Sequence, residues 1–80
     1  MEVHILKTWS EYFEEVFLGR KTFEIRKNDR NFKVGDALFL REWDNSKDSF
    51  TGREVLKKVT YILKGGSFGL EDGFVIISIE

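Results

Sequence analysis

The feature that most constrains this chain is a change of hydrophobic period at Gly19. Before it, Trp9, Tyr12, Phe13, Val16 and Phe17 recur at i, i+3, i+4, i+7 and i+8, the spacing that gathers apolar side chains on one stripe of an α-helix. After it, in GRKTFEIR (Gly19–Arg26), the period falls to two. Phe23 and Ile25 point one way, and Thr22, Glu24 and Arg26 the other, as on a strand. Glycine just past the last periodic residue takes the left-handed conformation that ends a helix. Thr8 and Glu11 have capping-box spacing, which predicts a helix starting at Thr8. A short amphipathic helix running into a strand needs a sheet to cover its stripe.

The rest of the chain supplies that sheet. Glu2–Leu6, Ala37–Trp43, Glu54–Leu63 and Phe74–Ile79 read as strands, the last buried on both faces. In Glu54–Leu63, Val55, Val59, Tyr61 and Leu63 share a face that Lys57 interrupts; this segment reads as a lone edge strand open to pairing between chains. KNDRNFKVGD, DNSKDSFTG and KGGSFGLEDG read as loops and turns. Eighty residues fit one domain, 1–80. One principal helix among five to six strands predicts an α+β fold, a small closed or half-closed mixed β-barrel with the helix plugging one end.

Composition narrows the function classes. With no cysteine and one histidine, the chain has no transition-metal ligand set and no disulfide, so neither metal nor cofactor is expected. No apolar run approaches the roughly 20 residues of a membrane span, and the N-terminal stretch is too short and too acidic for a signal peptide. The expectation is a soluble cytoplasmic protein. Net charge is −1, but it is unevenly spread. Residues 20–33 carry six cations and two acids, a net of +4, whereas residues 1–18 and 65–80 each sum to −3. Such a basic belt attracts phosphate locally; charged strand edges kept for solubility give the same pattern.

The mixed-charge run fits G-x-K-x-x-E-x-R as Gly19, Lys21, Glu24 and Arg26. With HILKTW, LREWD and TGREV around it, the chain resembles the ASCH domain, a branch of the PUA-like β-barrel superfamily, and within it a small family of unassigned function found in bacteria and phages. The resemblance covers nearly the whole chain. It implies a barrel with a cleft beside the helix, lined by Lys21, Glu24 and Arg26, in relatives that bind RNA, some by taking up a single modified base. The residues themselves allow this. A carboxylate between two cations can accept from a base edge while the cations hold phosphate or a carbonyl oxygen. They equally allow a surface ion pair without function.

Other candidates divide in the same way. His4, with Lys7 three residues on, fits the first motif of the resembling family. It could act as a general base near neutrality or be a half-buried strand histidine. Trp9, Tyr12 and Trp43 could stack on a base. The helical spacing of the first two argues for core, and Trp43, flanked by Glu42 and Asp44, is the better candidate for exposure. Arg30 in the Asn28-Asp29-Arg30 loop is a phosphate contact or a partner of Asp29 or Asp36. KGGSFG lacks the spacing and the following helix of a phosphate loop.

Three functions remain open. The first is an RNA- or nucleotide-binding module that uses Lys21, Glu24, Arg26, Arg30 and Trp43, with His4 and Lys7 nearby. The second is an amidohydrolase acting on an acylated or otherwise modified nucleoside, which the resemblance implies because some relatives have that activity. Here Glu24 stands where they carry a threonine, and Lys21 and Glu24 are the remaining catalytic candidates. The third is a protein-binding adaptor.

Overall fold

The computed structural model describes all residues, 1–80. The elements run β1 (Val3–Trp9), α1 (Ser10–Phe17), β2 (Phe23–Lys27), β3 (Ala37–Asp44), β4 (Ser49–Lys64) and β5 (Phe74–Ile79). They form one five-stranded mixed sheet in the order β1-β3-β4-β5-β2. β1 lies parallel to β3, and the other pairs are antiparallel. The α+β reading holds, but the sheet is not closed into a barrel, because no ladder joins β1 to β2 at its two ends. Side chains cross that gap instead. Arg26 Nη2 donates to the Lys7 carbonyl at 3.1 Å, and Arg30 Nη1 to the Ile5 carbonyl at 2.8 Å.

The core gathers Leu6, Phe13, Val16, Phe32, Leu38, Leu40, Val59, Val75, Ile77 and Ile79. Leu6, Leu38 and Leu40 come from the inward faces of β1 and β3, and α1 packs over these two strands. The helix stripe is narrower than its periodicity predicts. Phe13 and Val16 are buried, but Trp9, Tyr12 and Phe17 are each about half exposed. The cause lies at the junction with β1. The strand runs on to Trp9, the helix starts at Ser10, and no side chain caps it. Thr8 is therefore a buried strand residue whose hydroxyl accepts from Arg26 at 3.2 Å. A tertiary hydrogen bond has replaced the expected local cap. The other end follows the sequence. Gly19 has φ +78°, and the Gly19 and Arg20 amides donate to the Val16 and Glu15 carbonyls, a Schellman close.

β4 departs most from expectation. It is not an edge: it pairs with β3 along its first half and with β5 along its second. Its register shifts between Val59 and Tyr61. A bulge inserts one residue and moves the inward set to the other parity. Val55, Val59 and Ile62 accordingly pack inward, and Tyr61 faces solvent. Phe32, within a segment read as loop, is a core residue whose ring meets His4 edge-on at 4.7 Å.

Every buried side-chain polar atom has a partner. Asp36 takes the Glu2 amide at 3.0 Å, His4 Nε2–H at 2.9 Å and the Lys33 amide at 3.1 Å. These donors, led by the Glu2 amide and then His4, hold its carboxyl down at about 2. Glu42, also buried, accepts from Thr51 and Arg53, with Arg53 the main cause of its lowered pKa. Arg53 also reaches Glu14 at 2.9 Å and lies 5.1 Å from the Phe13 and Phe17 ring centres, which ties α1 to the β3–β4 hairpin.

Candidate functional site

A cavity of about 560 Å³ opens between the start of α1 and the facing edges of β1 and β2. This is within the usual range for small-ligand sites. Lys7, Thr8 and Trp9 come from β1, Tyr12 from α1, Lys21 from the turn after the helix, and Phe23, Glu24, Ile25 and Arg26 from β2. No three His, Asp or Glu side chains converge where a metal ion could be held.

The geometry begins with the parity of β2. Its pairing with β5 puts Glu24 on the inward side, 3% exposed, while Phe23 and Ile25 face outward. The polar face of this strand is thus its buried one. A carboxylate taken from water needs charge-assisted partners, and Glu24 has one on each oxygen. Lys21 Nζ donates to Oε2, and Arg26 Nη2 to Oε1 at 2.9 Å. Lys21 also donates to the Phe23 carbonyl at 2.7 Å, and its ammonium stands 4.8 Å from the Phe23 ring centre. The same Nη2 of Arg26 meets β1, at the Lys7 carbonyl and the Thr8 hydroxyl. Glu24 is therefore the buried anchor that aims two cations, and Lys21 and Arg26, with side chains 19% and 25% exposed, are the groups partly open to the cavity.

Trp9 and Tyr12, at 46% and 48% exposure, form the aromatic wall, with ring centres 6.5 Å apart and planes inclined by 21°. Their position reverses the ranking made from spacing alone. Trp43 lies outside the cavity on the outer sheet face, its ring met edge-on by Phe50 and overlain by Lys7 Nζ at 4.4 Å. The signal for Trp9 is strand parity: in β1 the even residues are buried and the odd ones exposed.

Lys21, Glu24, Arg26 and Lys7 are thus brought together, and Arg30 stands nearby on the same seam, bonded to Ile5 and 4.0 Å from Asp29. His4 is apart, buried between Asp36 and Phe32.

Two comparisons bear on the chain's kinship. It is 42% identical over 59 residues to an uncharacterized 12.9 kDa protein in the GpA 3' region of Escherichia phage P2, an alignment covering 74% of this chain and 52% of that protein. The chain thus spans about half the length of this phage relative. A family model described as "Domain of unknown function (DUF3850)" matches residues 3–79, and the chain belongs to that family.

Proposed function

We propose that the cleft binds a nucleotide, free or as part of an RNA strand. The base lies against Trp9 and Tyr12, and its carbonyl or phosphate oxygens meet Lys21 and Arg26. The observation that carries this reading is the buried Glu24 with a cation on each oxygen, at the foot of an open aromatic-walled cavity. Burying such a set for stability alone gains little, since well-packed apolar residues serve a core as well or better. Its use is to hold two donors in fixed positions. Lys21 and Arg26 outnumber the one acid, Glu24, so the cavity favours an anionic ligand. The Gly19-x-Lys21-x-x-Glu24-x-Arg26 pattern, resembling the ASCH hallmark, supports the same reading.

Glu24 then positions donors and does not itself read a base edge, because it is 3% exposed and each oxygen already holds a cation. That occupancy also disfavours nucleoside amide hydrolysis. A general base must lie within reach of the attacking group; Glu24 is 3% exposed, and Thr22 is not among the residues lining the cavity.

The test is a thermal-shift screen of nucleosides, nucleotides and short single-stranded RNAs on wild type, Glu24→Gln and Trp9→Ala. A ligand at 100 times its Kd adds about 2.7 kcal/mol. Stabilisation of wild type that both variants lose supports the site. A shift of equal size in all three puts the ligand elsewhere, and no shift with any of them sinks the proposal.

A further inference from the structure

The outer face of the β1, β3 and β4 strands carries a second surface, which meets the cleft at Lys7 and Trp9. The register sets three side chains abreast in each of several rows. Ile5, Phe39 and Leu56 form one row, Lys7, Arg41 and Glu54 the next, and Trp9, Trp43 and Phe50 a third. The helix covers the opposite side of β1 and β3, where Leu6, Leu38 and Leu40 are buried. On the outer side Ile5, Leu56, Trp9 and Phe50 are all substantially exposed. The cations of the middle row lie on the aromatics of the third: Lys7 Nζ is 4.4 Å from the Trp43 ring centre, and the Arg41 guanidinium 4.0 Å from that of Phe50.

We propose that this face is a stacking platform for single-stranded nucleic acid. A sheet face that sets a row of aromatic rings beside a row carrying two cations matches the two demands of an unpaired strand. Its bases need π-faces to lie on, and its phosphates need positive charge one step away. Lys7, Arg41 and Lys58 supply that charge against two acids, Glu54 and, beside Lys58, Glu80. The Arg41–Glu54 pair is exposed at 3.1 Å, so it exchanges readily for a phosphate contact. On binding, the two cations leave the ring faces for phosphate oxygens and bases take their places over Trp43 and Phe50. Lys7 and Trp9 belong to both the platform and the cleft, so one strand can run from the rows into the cavity. The proposal rests on the cleft reading only for the class of ligand; its own residues are Arg41, Trp43 and Phe50.

The experiment is fluorescence anisotropy of labelled dT12 and U12 between 50 and 200 mM salt, on wild type, Phe50→Ala, Arg41→Gln and Glu24→Gln, each checked by melting. Phe50→Ala is expected to weaken binding at least about fivefold, the low end for losing one stacked base. Arg41→Gln should reduce the slope of log K against log salt by about 0.7. The Phe50→Ala loss should be equally large in the Glu24→Gln background, which separates platform from cleft. Oligonucleotide binding that Phe50→Ala weakens and Glu24→Gln leaves unchanged would leave the platform standing while the cleft reading fails. Absence of oligonucleotide binding, or binding indifferent to both Phe50→Ala and Arg41→Gln, overturns the platform. So does a wild-type dimer in sedimentation that Phe50→Ala dissociates, since a second copy would then own this face.

Discussion

Acid should weaken this protein through Asp36 in a way that can be isolated. Its carboxylate accepts from the Glu2 amide, His4 and the Lys33 amide, and so joins the start of β1 to the loop entering β3. Those donors lower its pKa from 3.8 to about 2. A folded-state pKa below the unfolded one means that the stabilisation is complete above pH 3.8 and is lost as pH falls through 2. The size follows from about 1.4 kcal/mol per pKa unit, which gives on the order of 2 kcal/mol. For a domain of this length that corresponds to roughly 8–16 °C in Tm. Other carboxylates also contribute, since Glu42 and Asp44 are lowered too. The informative quantity is therefore the difference between wild type and Asp36→Asn. Urea melts at intervals from pH 5.5 to 2 should show the wild-type advantage shrinking by about 2 kcal/mol across that window. Two curves that stay parallel down to pH 2 would refute the reasoning, because the carboxylate would then be no better held folded than unfolded.

Three further outcomes follow from the geometry. Gly65→Ala would place a Cβ 2.0 Å from the Glu71 carbonyl oxygen and 2.8 Å from that of Phe74, and chemical denaturation should show a loss of about 1–3 kcal/mol as the loop shifts. Arg53→Met strips the buried Glu42 of its main partner; a loss of about 1–3 kcal/mol is expected, partly recovered when Glu42→Met is added, because an apolar pair tolerates burial that a lone carboxylate does not. Tyr12→Ala, at a half-exposed position, should leave Tm within a few degrees of wild type while weakening any nucleotide bound in the cleft, as measured by calorimetry.

Much of the fold is legible in local pattern. The α1 C-terminus at Gly19, the β3 segment and the β5 segment lie where periodicity and glycine put them. Long-range pairing was not legible. Whether Thr8 caps a helix or ends a strand depends on Arg26, eighteen residues away, and Arg26 reaches Thr8 only once β2 lies near β1. The edge reading of Glu54–Leu63 fails for the same reason, since its partners on both sides, β3 and β5, are set by topology. The phase of β4 is hidden by one bulge, which no count of apolar residues reveals. In the cleft, the grouping of Lys21, Glu24 and Arg26 was expected from their motif, and the structure brings them together. The Trp9 and Tyr12 wall was masked because helical spacing could not show that Trp9 belongs to a strand. Arg53, which bridges Glu14 and Glu42, carries no local signal, because its partners are 39 and 11 residues distant.

The gap between β1 and β2 gives the cleft an unusual mechanical character. In a closed barrel, backbone ladders would fix the separation of its walls. Here the walls are joined by Arg26 and Arg30, whose guanidiniums grip the Lys7 and Ile5 carbonyls at the ends of long, jointed side chains. The width of the cavity is therefore set by side chains and not by a backbone ladder. A ligand that draws Arg26 toward its own oxygens loosens one of the two ties holding β1 against β2, so occupancy and aperture are coupled through a single side chain.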